Sequence, residues 1–472
     1  VRREFLLLLA GYLAVLVGVG LKYSRRMRGP RDFFLASRSL SSPLVFFSLT
    51  ASWFGATSIL VTMDEAYRSG VSAFWLVGLP AVATVLLLAV FLAGPIRRLD
   101  APTLPALVEA RYGKAVRHAA SVLLLWYMIV LASSQMVALG QFLEPFLGIP
   151  YAWGLALGTA VVLVYLLGGG LFSVVATDVL QCILLAAGMA GLAVHLSRLS
   201  SIGGVSAAAR LAGKTEYFHF FQDGERNALI ALSFVLAWTI SPIAWQRIQA
   251  AGSVKKARRG LLAAAGAFIV LYGLVVFCGV FSLTSYSGRT LDHPLISEII
   301  ASAGIMGGGF LFVVVVAAVL STMDTALNTG AQTLTQDIYF EAFPRAGADG
   351  RSGVRAGRLA TLLVALAAFG IAVRLPSILR TLGLASEILA EGLFVPGMAM
   401  FVLKKRTPLA GGLSLILGGG FALLSFLSTL RILSLRLPEW PYSVPYGVVL
   451  SLMGFGIGYL INSRFSRQPG KD

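Results

Sequence analysis

Apolar runs of about twenty residues recur from one end of the chain to the other, separated by short polar stretches rich in arginine, glycine and proline. A run of that length spans the hydrocarbon core of a bilayer as a helix. The spacing predicts about thirteen such helices: 5–21, 44–63, 73–94, 119–146, 153–167, 172–195, 229–246, 260–284, 304–328, 359–373, 378–403, 412–430 and 444–461. Two are interrupted. The second carries Ala51-Ser-Trp-Phe-Gly-Ala-Thr-Ser58, with Gly55 at its middle, and the seventh carries Trp238-Thr-Ile-Ser-Pro-Ile-Ala244, where Pro242 removes a rung of the hydrogen-bond ladder. Membrane helices tolerate Gly, Ser and Pro. Breaks at matching places in two halves of five helices point further, to an inverted repeat with a binding site at the midplane.

Composition agrees with this pattern. Residues are 57% hydrophobic and only 12% charged, against about 25% charged in soluble domains. No polar block is long enough for a soluble catalytic domain. The net charge of +17 would suggest nucleic acid in a soluble protein; here it reads as loop charge, and no nucleic-acid partner is expected. With the N-terminus outside, the inner loops hold most of the basic residues: Lys22, Arg25, Arg26, Arg28, Arg31 and Arg38; Arg97, Arg98, Arg111, Lys114 and Arg117; Arg247, Lys255, Lys256, Arg258 and Arg259; Arg345, Arg351, Arg355 and Arg358; Lys404, Lys405 and Arg406; Arg464, Arg467 and Lys471. That asymmetry predicts an outside N-terminus and an inside C-terminus, in a multi-pass protein of the cell membrane. The first run lies where a signal peptide would, but arginines rather than a small-residue cleavage site follow it, so a retained helix is expected. Cys182 and Cys278 sit in apolar runs and read as core packing. The histidines His118, His195, His219 and His293 are scattered with no nucleophile–base spacing, so no enzyme is expected.

The chemistry concentrates in the ninth helix. Within Ala317-Ala-Val-Leu-Ser-Thr-Met-Asp-Thr-Ala-Leu-Asn328, the positions Ala318, Ser321, Thr322 and Thr325 share one face by i+3 and i+4 spacing. That face offers hard oxygens without sulfur or imidazole, which suits a small hard cation. Glu387 and Glu391 are two further carboxylates at membrane depth, spaced i, i+4. An intramembrane acid is by default a functional candidate. Glu391 is expected to meet a substrate ammonium or a proton; a salt bridge from Glu387 to Arg380, or a protonated structural acid, is the alternative. Asp64 and Glu65 are expected to face an outer vestibule.

Several stretches together resemble the sodium:solute symporter family over nearly the whole chain. They are Asp32-Phe-Phe-Leu-Ala-Ser-Arg-Ser-Leu40, Ser48-Leu-Thr-Ala-Ser52, Thr103-Leu-Pro-Ala-Leu-Val-Glu-Ala-Arg-Tyr-Gly113, Gly168-Gly-Gly-Leu-Phe-Ser-Val-Val-Ala-Thr-Asp-Val-Leu-Gln181, Pro242-Ile-Ala-Trp-Gln-Arg247, and the ninth helix through Thr335-Gln-Asp-Ile-Tyr339. The resemblance implies a LeuT-type core of two inverted five-helix repeats, about 43–196 and 228–403, with peripheral helices at 5–21, 412–430 and 444–461. It implies uptake of a small organic solute driven by sodium through alternating access, with no cofactor beyond the coupling ion. Carried over residue by residue, the main sodium site takes the carbonyls of Ala51, Phe54 and Ala318 and the hydroxyls of Ser321 and Thr322. A second sodium site would use Asp178, Asp324 and Thr325. Substrate contacts would come from Ser52, Trp53, Thr57, Ser58, Phe234 and Trp238, with Glu391 from the tenth core helix. Ser58 stands where sugar-carrying relatives have glutamine, which weakens a sugar reading. A proton-coupled carrier using Asp178, Asp324 or Glu391, and a solute-sensing module, remain the other readings; only 462–472 follow the last helix, so no output domain is expected.

Overall fold

The computed structural model describes residues 3–24, 29–99, 103–286, 293–301, 305–343, 350–374, 377–403, 405–429 and 431–465. The expected loop charges Arg25, Arg26, Arg28, Arg345, Lys404, Arg467 and Lys471, and the helix limits Gly304 and Leu430, lie outside them. Among the described residues the backbone is almost wholly helical, with one isolated parallel bridge between Leu40 and Ala251 and no strand. Ten helices are long and apolar enough to cross a membrane, or up to eleven if one bent pair forms a single span.

The elements that position the site are α1 (Arg3–Ser24), α2 (Ser42–Trp53), α3 (Thr62–Ser69), α4 (Gly78–Leu87), α5 (Lys114–Leu147), α6 (Tyr151–Leu199), α7 (Gly224–Thr239), α8 (Pro242–Ala250), α9 (Val254–Ser285), α10 (Phe310–Gln332), α11 (Gly350–Ala372), α12 (Ile378–Val402), α13 (Pro408–Thr429) and α14 (Val444–Phe465). Helix α10 is the axis: nearly all of its residues are buried, whereas most of α1 and α14 is not. It packs on α5, α6, α11 and α2. Helices α13 and α14 pack on each other and, with α12, form one flank.

The two expected interruptions are present. Helix α2 ends at Trp53, Phe54 leaves helical geometry (φ −95°, ψ 60°), and a wide turn at Thr57–Val61 leads into α3. Gly55 is required there, because a Cβ would run into Thr322 Oγ1 of α10 and come within 2.7 Å of Gln135 Oε1 of α5. Helices α7 and α8 meet at a 41° bend with Pro242 opening α8, where its missing N–H costs nothing.

Elsewhere the expected boundaries shift. Positions 57–98 form one 42-residue apolar stretch, joining the end of the second expected helix to the third. The fifth and sixth expected helices run together as α6, 49 residues with a sharp turn at Gly170 (φ 50°, ψ −144°). A Cβ at Gly170 would sit 2.6 Å from the Phe33 carbonyl oxygen, so the left-handed turn and the close packing both demand glycine. The stretch after α6 contains a short helix, Ile202–Leu211, packed on α9. Cys182 and Cys278 are buried and unpaired with each other, the Cys278 thiol lying 3.9 Å from the Met189 carbonyl. Arg247, expected in an inner loop, is instead fully buried in α8.

Candidate functional site: a polar seam between two broken helices

The break at Phe54 leaves the last carbonyls of α2 without a following helical turn to donate to them. The hydroxyl face of α10 lies against that end. Ser321 Oγ is 2.9 Å from the carbonyl oxygens of both Ala51 and Ala318 and donates between them, and Thr322 Oγ1 lies 3.4 Å from the Ala318 carbonyl. Ala51, Phe54, Ala318, Ser321 and Thr322 are all buried. A set of backbone and hydroxyl oxygens, with no net charge and no soft ligand, suits a monovalent hard cation.

On the side of that set toward α8 lies the second candidate group, and it already contains a cation. The Arg247 guanidinium donates from Nε to Ser48 (2.7 Å), from Nη2 to Thr325 (2.8 Å) and Ser52 (3.1 Å), and from Nη1 to the Gln246 side chain (2.6 Å). Its Nη2 is 3.7 Å from Asp178 Oδ2, and both side chains are fully buried. Ser48 donates to the same Asp178 oxygen at 2.7 Å. Ser52 and Thr325 are 2.8 Å apart. Asp324 accepts from Tyr165 at 2.6 Å on one oxygen, while among the described residues its Oδ1 and Asp178 Oδ1 have no hydrogen-bond partner. So Asp178, Asp324 and Thr325 share one polar seam, with an arginine among them that charge counting had assigned to a loop.

Next to the oxygen cluster is a cavity with about 430 Å³ of empty space, open solvent at its mouth included. Ser52, Trp53, Thr57, Ser58, Trp238 and Thr322 line it. Trp53 is tilted on Trp238 at 5.5 Å and stacked on Phe268 at 6.2 Å. Ser58 bonds to Tyr272 at 2.7 Å. Phe234 stands behind this wall, stacked on Trp238 at 4.7 Å, and does not line the cavity. Glu391 is not brought to it either: its carboxylate lies over Gly447 of α14. Glu387 accepts from Ser443, and Arg380 pairs with Glu439 at 3.4 Å, so the anticipated Glu387–Arg380 bridge does not form.

Sequence reasoning missed the far wall, Tyr127, Leu131 and Gln135 of α5 and Leu382 of α12. Gln135 accepts from the Ala56 N–H at 3.0 Å, capping the second half of the broken helix. The signal available was the polar trio Ser133-Ser134-Gln135 inside an apolar run. Outside the cavity, Asp64 meets His293 at 2.9 Å and Glu65 meets Arg226 at 2.9 Å.

The sodium:solute symporter family model matches residues 33–419. The chain belongs to that family. The sodium/glucose cotransporter of Vibrio parahaemolyticus is 27% identical over 89% of this chain and 84% of its own length. The high-affinity proline transporter of Bacillus subtilis is 26% identical over 78% of each. A Na+-coupled sialic acid symporter superposes with a TM-score of 0.80 at 18% identity, covering 97% of both chains. Its fold is therefore shared across the whole length. The family is one of secondary transporters, and this symporter is a multi-pass membrane protein that couples sodium to uptake of a small organic solute.

Proposed function

We propose that this symporter moves one sodium ion with one compact zwitterionic solute into the cell. Thr322 carries the reading, because it belongs to the oxygen cluster and also lines the cavity. An ion held by Ala51, Phe54, Ala318, Ser321 and Thr322 would fix the end of α2 against α10, and so fix one wall of the solute cavity. That shared side chain gives the ion and the solute a direct means of raising each other's affinity.

One sodium follows from Arg247. Its guanidinium donates to the oxygens around Asp178 that a second ion would need as ligands, and a fixed positive charge there disfavours another cation. The zwitterion follows from the cavity walls, where among the described residues no Asp, Glu, Lys or Arg appears. Net-charged solutes would have to be desolvated without a counter-charge. The ends of half-helices supply partial charges of both signs for an amine and a carboxylate, and Trp53 and Trp238 supply an apolar wall. An amino acid of proline's size fits this better than a sugar, since Ser58 is engaged with Tyr272 rather than presented as a long amide.

Thirteen membrane crossings remain the preferred topology. A 49-residue helix is about 73 Å long, more than twice the hydrocarbon thickness, so α6 divides at Gly170. The stretch 57–98 divides at the tight turn Gly70–Trp75, and α7 with α8 forms one bent crossing. An outside N-terminus places the arginines at positions 97, 98, 111 and 117 in the cytoplasm of a cell-membrane protein, with the repeats at about 43–196 and 228–403.

Proteoliposomes test the assignment. Labelled proline should accumulate under an inward sodium gradient with a sodium-to-solute ratio of one. The Ser321→Ala, Thr322→Ala double variant should need about tenfold more sodium, the equivalent of about 1.4 kcal/mol of ion binding. Equal uptake in sodium-free buffer, or an unchanged sodium requirement in the variant, overturns the site.

A further inference from the structure

The flank formed by α12, α13 and α14 buries two carboxylates that the transport site does not use. Glu387 and Glu391 are fully buried. Ser443 donates to one oxygen of Glu387; among the described residues its Oε2 has no hydrogen-bond partner, and neither oxygen of Glu391 has one. Gly447 accommodates the Glu391 carboxylate where any larger residue would collide with it, and Gly418 of α13 lies against the Glu391 carbonyl. Both α12 and α13 widen at this crossing, over Ile388–Leu393 and Leu415–Gly419. Such wide turns often accompany functional positions.

Among the described residues, the neighbouring helices bring no counter-charge to either acid. Helix α13 contains no ionisable side chain. On α14 the ionisable residues are Tyr446, Tyr459 and Arg464, the last about 25 Å along the helix from Gly447. On α5, Leu123 faces this crossing; Lys114, Arg117 and His118 lie in its first turns, with Lys114 and Arg117 engaging Glu341, while Tyr127 lines the cavity and Glu144 is near the other end. On α7, Arg226 is paired with Glu65 and Glu225 sits in the first turn. On α12 itself, Arg380 is paired with Glu439. An ionised carboxylate left here is strongly disfavoured, because nothing around it replaces the water it lost. A proton removes that cost without needing space.

We propose that Glu387 and Glu391 form a proton-binding site at the junction of α12 with α13 and α14, whose occupancy sets the packing of α12 and thereby the transport rate. Helix α12 links the two places: Leu382 lines the solute cavity, and Glu391 meets α14 two and a half turns later. Loss of the proton places a charge between helices that cannot solvate it, and the junction must loosen.

The test uses full-length protein in proteoliposomes, with equal pH on both sides and a fixed sodium gradient, between about pH 5 and pH 9. Proline uptake by the unaltered protein should fall as pH rises, approaching tenfold per unit beyond the midpoint. Glu391→Gln, which mimics the neutral acid, should keep the low-pH rate across the range. Infrared spectra should show a protonated-carboxyl C=O band that titrates over the same range and is missing in Glu391→Gln. Should that variant fail to fold, Glu387→Gln should shift the midpoint and the band together. A Glu391→Gln profile that still falls like the unaltered one overturns the proposal. So does a carboxyl band that never titrates while uptake stays flat. The sodium requirement at the lowest pH reads the ion site separately, so failure of one reading is distinguishable from failure of the other.

Discussion

Arg247 shows how much one side chain changes at the residue scale. Its five contacts reach Ser48, Ser52, Asp178, Gln246 and Thr325, drawn from α2, α6, α8 and α10. Burying a guanidinium is tolerable only with that degree of satisfaction. Arg247→Ala should therefore destabilise the protein by about 3–5 kcal/mol, because it leaves Asp178 as an unpaired buried charge. Asp178→Leu combined with Arg247→Met should recover much of the loss, since removing both partners leaves no orphan. Thermal unfolding in detergent measures both; an Arg247→Ala cost within error of zero would mean the pair is not formed. The sequence named Asp178, Thr325 and the Pro242–Arg247 motif, yet counted Arg247 among loop charges. The reason is physical: an arginine at the end of an apolar run looks like a membrane boundary, and most of the partners that bury it lie far away in sequence.

At the scale of elements, the interruptions were legible and the walls were not. Gly55 and Pro242 announce themselves because backbone geometry is local: one residue lacks a side chain, the other a donor. The hydroxyl face of α10 was legible for the same reason, since i+3 and i+4 spacing is written along one helix. Tyr127 and Gln135 of α5 were missed, because which face of a uniformly apolar helix meets a cavity depends on its neighbours. Phe234 and Glu391 failed in the opposite sense: Phe234 lies one turn before Trp238 yet packs behind it, and Glu391 turns toward α14. Gly55→Ala tests the close approach at the break. Its methyl would push Thr322 and Gln135 away, an overpacking cost of about 1–3 kcal/mol. The sodium-dependent rise in melting temperature should shrink or vanish in that variant, while a full sodium response would show that the approach of α2 to α10 is not needed for the ion.

Across the whole molecule, alternating access requires the end of the bundle reached by α5 and α10 to open and close as a unit. There Arg117 of α5 meets Glu341 at 2.9 Å and Asp337 at 3.9 Å, beyond the end of α10, and bonds to Glu109 of the short helix Leu104–Tyr112. Thr103 adds a hydrogen bond to Asp337. One arginine thus holds three carboxylates from two segments, and with this end facing the cytoplasm, as proposed, inward opening has to separate them. Glu109 and Glu341 are partly exposed while Arg117 and Asp337 are largely buried; the effect of the cluster on transport lies in the balance between two conformations, where a modest difference moves populations several-fold. In Arg117→Ala, among the described residues, only Lys114, 3.7 Å from Glu341, remains beside the three acids, and their repulsion should favour the inward-open form. A cysteine placed at Thr57 in the cavity reports this, with little background because Cys182 and Cys278 are buried. In inside-out vesicles, labelling of that cysteine by a membrane-impermeant thiol reagent should rise several-fold in the Arg117→Ala variant, and high salt should produce a smaller rise in the unaltered latch by screening it. Labelling that is equal with and without Arg117 would place the latch elsewhere and leave these charges as surface pairs.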